Sequence, residues 1–468
     1  LVAVVIFYLG ITLGLSFYLS RQVKSTSDFL IAGRNLGLGL TTATLASIQL
    51  GAGVILGGAE LGAEIGLWPG TWYGMGCGGG LILAGLLVAS KLRRRGGFVP
   101  LDFFAVRYGE RKWIRIWGWF SNIPSLLGIF VAQVMAAGSI FTVLGLSFLQ
   151  GVITSGVVIM LYSFLGGMRG VAVINFIQLG FIVAGIPLVS LTSLLKLREE
   201  IPASVASIFS SPFIPPGMFS RAVFTILPFL LAISVSYDAF MRYQSAKSEK
   251  VARWGCILGG IIVIFISFCV GIIGSAGKAI YPLLENAAIL PKMIQTTLPP
   301  LLGGLVISSL LAAAMSTGNC LLISLAGCFS RDLYNKVLNP SMSLDELEYS
   351  KTVSKGVIVG ALVAGVGIAF YAKGILYTII IFNYPYMGSM LVPLLGGVLW
   401  ERATPKGAIA ALFAGGIIGV FSFILGIPGS LKGLMNIDFG LLIAYGISAV
   451  VFVLTSLLTS NEKKTLRG

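Results

Sequence analysis

In the stretch AAAMSTGNCLL, residues 312–322, Ser316, Thr317 and Asn319 interrupt one of the most apolar runs of the chain. Two adjacent hydroxyls on a helix can replace part of the water shell of a cation. They can also bond back to carbonyls one turn earlier, as such residues do in spanning helices. A second interruption lies in SIQLGAGVILGG, residues 47–58, where Ser47 and Gln49 precede Gly51, Ala52 and Gly53. The surrounding stretch is too long for one straight helix, and polar groups with glycines at mid-depth are what an unwound helix requires. Lipid offers no hydrogen bonds, so carbonyls freed there must bind something. A third falls in TILPFLLAISVSYDAF, residues 225–240, with Pro228, Ser234, Ser236 and Asp238. Pro228 removes a backbone hydrogen bond and is expected to kink its segment.

Few acidic residues can lie near such apolar runs. Glu60 and Glu64 are one turn apart and share a helix face. They read as an outer vestibule that attracts cations, or as a hydrated interface pair. Asp238, followed by Arg242 and Lys247, reads as a structural ion pair at headgroup level. There is no His, which removes the usual proton relay near neutral pH and makes a zinc enzyme untenable. Cys77, Cys256, Cys269, Cys320 and Cys328 lie in apolar runs with no metal-ligand spacing. No GxxxxGK[ST] loop is present to drive transport with ATP. No Ser-Lys, Asp-Asp or His-based constellation inside the apolar runs suggests an enzyme.

The elements that must position these groups follow from composition. Of 468 residues, 56% are hydrophobic and only 10% charged, against about 25% charged in soluble domains. Runs of ~20 apolar residues, enough to cross a bilayer, recur at roughly 1–20, 36–67, 68–90, 117–144, 147–166, 169–195, 223–240, 254–276, 299–329, 356–372, 374–399, 405–426 and 438–459. The first has no small-residue cleavage site after it and reads as a span. The net charge of +15 is a matter of topology: with alternate loops assigned to opposite sides, one side holds 25 of the 32 Lys and Arg. The positive-inside rule then places the N-terminus outside and the C-terminus in the cytoplasm. Nucleic acid is not an expected partner. The basic, aromatic segment 91–116 is expected along the headgroups. Two interrupted helices in corresponding positions point to a transporter site, and their spacing of five spans fits a five-plus-five inverted repeat.

Five further stretches occur in order along the chain: SDFLIAGRNLG (27–37), GGMRGVAVINFIQ (166–178), DAFMRYQSAKSEKVAR (238–253), LLAAAMSTGNCLLISLAGCFSRDLY (310–334) and VPLLGGVLWERATPKGAIAA (392–411). Together they resemble the signatures of the sodium:solute symporter family. The resemblance implies an all-α polytopic membrane protein of the leucine-transporter type, with about 13 transmembrane helices. An extra helix at 1–20 would precede five-helix repeats at 36–195 and 223–400, and two helices at 405–459 would follow. It also implies a sodium ion held by the carbonyls of Ser47, Leu50 and Ala313 and the hydroxyls of Ser316 and Thr317. Five neutral oxygens suit a monovalent ion, since a carboxylate cage would favour a divalent one. Many relatives carry an acid at the position of Asn175, and some carry Asp at that of Gln49. Both are amides here, so this possible second-cation path is uncharged and one sodium per cycle is expected.

The implied function is secondary active transport, with inward sodium flow driving uptake of a small organic solute across the cell membrane by alternating access. A solute pocket at mid-depth would draw on Trp72, Tyr73, Gln133, Ser234, Asn383 and Tyr384. None of these is an Arg or Lys that would clamp a carboxylate, although a helix N-terminus can bind one. Sodium, solute and membrane lipid are the expected partners, with no obligate protein partner. Two other readings remain at this point: proton coupling through Glu60 or Glu64, and a sensor that binds solute without moving it.

Overall fold

A computed structural model describes residues 2–20, 31–97, 99–165, 168–341, 347–372, 374–426 and 437–460. Hydrocarbon admits a chain only if each segment satisfies its own backbone, and every apolar run expected to span is helical. We number the spanning helices α1 to α13. α1 is Val2–Ser20. α2 comes in two pieces, Leu38–Gln49 and Gly53–Glu64, bent by 52°. α3, likewise bent, joins Leu67–Leu87 to Ala89–Arg95. α4 is Lys112–Val143, α5 Phe148–Leu165 and α6 Met168–Glu200. α7 pairs Phe219–Val235 with Tyr237–Ser245 across a 42° bend. Then follow α8 (Glu249–Ile280), α9 (Pro300–Gly327), α10 (Leu347–Ala369), α11 (Ile375–Leu399), α12 (Pro405–Gly426) and α13 (Ile437–Leu458). Among the described residues, seven helices are each long and apolar enough to cross a membrane, and the three bent pairs raise that to ten. Shorter apolar helices, Ala3–Thr12, Phe148–Leu161 and Lys355–Ala369, lie in α1, α5 and α10.

The break in α7 differs from expectation. Pro228 lies inside the continuous helix Phe219–Ala232, where its missing donor is tolerated. The chain leaves the helix further on, through the tight turn Ile233–Val235 and Ser236, whose φ −60° and ψ 148° are extended. The segment 91–116 packs part of its length against the bundle. Phe103 and Phe104, on the helix Pro100–Tyr108, are buried. Arg95 and Arg107 both donate to the Gly397 carbonyl at the end of α11, at 3.0 and 3.1 Å. These two side chains therefore cap the end of α11 on that side. On the same basic face, the approach to α2 pairs with the end of α7. Leu36 N–H donates to Ser245 O at 3.0 Å, and Lys247 N–H to Leu36 O at 2.9 Å.

Candidate functional site

The site is built where α2 and α7 lose their helical ladders. Between Gln49 and Gly53 the chain turns away, and the helix resumes as the wide turn Gly53–Gly57. Gln133 of α4 satisfies the freed backbone: its Oε1 accepts from Ala52 N–H at 3.0 Å. The glycines permit this approach. A Cβ at Gly51 would stand 2.9 Å from Gln133 Oε1, and one at Gly53 2.7 Å from Tyr73 Cε1. The break in α7 is capped in the same manner. Tyr243 Oη donates to Ser234 O at 3.3 Å, and Tyr386 Oη to Val235 O at 2.9 Å. Scaffold side chains thus hold both unwound segments open.

Around these breaks lies a narrow cavity of about 50 Å³, tighter than the open sites of most small-molecule binders. It takes Gln49, Gly51 and Gly53 from α2, Gln133 from α4, Asp238 from α7 and Asn383 from α11. Asn383 accepts from Ser125 Oγ at 2.6 Å through its Oδ1 and donates to Ile379 O at 2.7 Å. Of the expected solute residues, the cavity brings together Tyr73, Gln133 and Asn383. It does not bring in the other three. Trp72 is fully buried and donates from its indole to Phe213 O at 3.2 Å. Ser234 bonds back to Leu231 O at 2.5 Å. Tyr384 faces a different cavity.

That second cavity, about 520 Å³, lies toward the end of α2 away from the basic face, and its lining includes Glu60, Glu64, Arg221, Phe224 and Tyr384. The two glutamates share it, and Arg221 adds a charge that their spacing alone did not announce: its Nη1 is 3.5 Å from Glu64 Oε1. Phe224 and Tyr384 meet edge to face at 5.9 Å. Asn383 faces one cavity and its neighbour Tyr384 the other.

At the expected sodium position, the end of the first piece of α2 meets α6 and α9. Ile48 packs with Val171 and Cys320. Ser47 Oγ donates to the Asn175 carbonyl at 3.2 Å. Leu50, Ala313 and Thr317 are all buried. The side chain of Ser316 lies outside the described residues. Asn175 and Asn319 each bury a side-chain oxygen with no partner. Asp238 does not form the headgroup-level ion pair expected of it. It is 7% exposed and lines the central cavity, while Arg242 Nη1 donates to the Asp238 backbone carbonyl at 2.6 Å. Sequence spacing registered Asp238 as charged but not where it faced.

The basic face is closed by charge. Arg115, 2% exposed, pairs with Asp332 at 2.7 Å, Glu110 at 2.7 Å and Asp102 at 3.1 Å. These groups tie α4 to the helix Pro100–Tyr108 and to the irregular turns Cys328–Leu338 that continue α9. The hydrogen-bonded Arg115 guanidinium holds the Glu110 carboxyl below the usual range.

The model of the sodium:solute symporter family matches residues 29–415. The sodium/pantothenate symporter of Escherichia coli is 26% identical over 88% of each chain. The high-affinity choline transporter 1 of Torpedo marmorata is 25% identical over 90% of this chain and 76% of its own. A solved structure of a Na+-coupled sialic acid symporter, in a substrate-bound outward-open state, superposes with a TM-score of 0.78 at 18% identity, covering 97% of each chain.

Proposed function

The chain belongs to the sodium:solute symporter family, and from that premise we propose how its residues divide the work. It is a multi-pass membrane protein of the leucine-transporter type that couples sodium movement to solute uptake by alternating access. It is not an enzyme. The sodium ion binds between the break of α2 and α9, on the carbonyls of Ser47, Leu50 and Ala313 and the hydroxyls of Ser316 and Thr317. The observation that carries this reading is the small cluster of Ile48, Val171 and Cys320, which gathers the end of the first piece of α2, α6 and α9 one turn from Thr317. Sodium there would tie a mobile segment to a scaffold helix and favour the state in which the solute cavity is complete. It does so only through different affinities for the two states.

The central cavity is the solute site, with Tyr73, Gln133 and Asn383 on its wall. The Glu60–Glu64 cavity is the outer vestibule, and the basic face is cytoplasmic by the positive-inside rule. This puts the N-terminus outside, the C-terminus inside and the protein in the cell membrane. The repeats run over 36–195 and 223–400. Because Asn175 and Gln49 are neutral, one sodium moves per cycle. Relatives named for pantothenate and choline handle an organic anion and an organic cation, so the solute class must be read from this cavity. Purified protein in liposomes tests the whole reading. An inward sodium gradient at constant pH should drive uptake of a solute found by a sodium-dependent thermal-shift screen, and uptake indifferent to sodium would end it.

A further inference from the structure

The central cavity contains one carboxylate and no base facing it. Asp238 opens the second piece of α7, buried yet on the cavity wall. Among the described residues, no donor and no basic group pairs with its carboxylate. Arg242, one turn on and buried, directs its Nη1 to the backbone carbonyl of Asp238, keeps its Nε and Nη2 without a partner among the described residues, and does not line the cavity. On the cavity side no charge among the described residues faces the Asp238 carboxylate, and low-dielectric surroundings strengthen its attraction for a group of opposite sign.

The surrounding wall narrows the choice. Tyr73, Phe229, Tyr237 and Tyr386 all line the cavity, with the Tyr73 and Phe229 rings edge to face at 4.8 Å. Aromatic faces attract cations, and clusters of them recognise ammonium groups. Part of the neutral polar wall is engaged: Gln133 Oε1 with Ala52 N–H, Ser125 with Asn383, and Tyr386 with Val235 O, while the Tyr237 hydroxyl is buried without a partner among the described residues. No Arg or Lys lines the cavity to receive an anion.

We propose that the solute carries a positively charged nitrogen, with Asp238 as its counter-charge and the four aromatic rings as its walls. This rests on the reading of the cavity as the solute site of a sodium-coupled transporter. Choline and its uncharged isostere 3,3-dimethyl-1-butanol, titrated calorimetrically into the full chain in lipid nanodiscs at saturating sodium, isolate the effect of charge. Choline should bind at least tenfold more tightly. Asp238→Asn should abolish that preference and Asp238→Glu should keep it. Equal affinity for the pair, whether measurable or absent, or a preference that survives Asp238→Asn, overturns the proposal. Radioactive sodium binding separates the other source of positive charge. If Asp238→Asn removes one bound sodium per protein, the carboxylate serves the ion and the proposal fails. If the wild type binds no sodium, the transport reading beneath it fails, whichever probe binds.

Discussion

At the scale of the residue, the hydroxyl pair on α9 is the sharpest test. If Ser316 and Thr317 are sodium ligands, replacing both with Ala should raise the sodium concentration for half-maximal uptake at least tenfold. A hydrogen bond to a charged group contributes roughly 1.5–3 kcal/mol, and about 1.4 kcal/mol is tenfold. Unchanged sodium dependence in a folded double variant would return the pair to helix packing. Asn175 tests stoichiometry. It is buried with its side-chain oxygen unpartnered, so it can lend an oxygen but no charge. The Hill coefficient for sodium should therefore be close to one in the wild type. Asn175→Asp should strengthen any latent second site. A wild-type flux ratio near two sodium ions per solute would show that an amide suffices. Ser316, Thr317 and Asn175 stood out in the sequence because hydroxyls and amides are conspicuous in apolar helices, while the roles proposed for them came from the family resemblance. The role of Asp238 was not, since its spacing from Arg242 fits an ion pair equally well.

At the scale of the element, the two breaks depend on close approach. Gly53→Ala would drive a Cβ to 2.7 Å from Tyr73 and 2.8 Å from Ile379, both on the cavity wall. Uptake should fall at least tenfold while circular dichroism stays helical, and full uptake would mean that the break has more room than this packing allows. The closure of the basic face depends on Arg115. Arg115→Ala breaks the buried pair with Asp332, a loss of up to about 3–5 kcal/mol. The face should then open, and buried Cys328, four residues before Asp332, should become reactive to maleimide by peptide mass spectrometry. Unaltered labelling would show that packing alone closes it. Acid should act in the same direction through Glu110. Its carboxyl is held below the ordinary range, so its contribution is complete above that range and is lost as pH falls through its lowered value. The glycines of α2 announced one break. The break of α7 was legible only approximately, because Pro228 is the stronger local signal and yet lies in unbroken helix.

At the scale of the whole molecule, the vestibule acts through long-range attraction. Glu60→Gln with Glu64→Gln should weaken apparent sodium affinity at low ionic strength, and the defect should shrink as potassium chloride is added. Salt screens such fields over ~8 Å at physiological strength. Arg221 beside Glu64 already offsets one of the two charges, so most of the effect should reside in Glu60. Sodium-driven uptake at constant pH should persist in the double variant. Its loss from a folded protein would make one of these carboxylates a proton carrier and replace the assigned coupling ion.

The membrane class, the helical character of the apolar runs and the break in α2 all follow from the chain itself. In hydrocarbon the length of an apolar run and the satisfaction of its own backbone leave few alternatives to helix. What faces the solute was decided only by tertiary packing. Gln133 reaches Ala52 and Tyr386 reaches Val235 across more than eighty residues of sequence. Neighbours 383 and 384 open onto different cavities. Trp72 is held by Phe213, whereas Asp238 turns toward the cavity. Rotation of a helix about its axis leaves its apolar length unchanged, so which face meets the cavity depends on its packing partners.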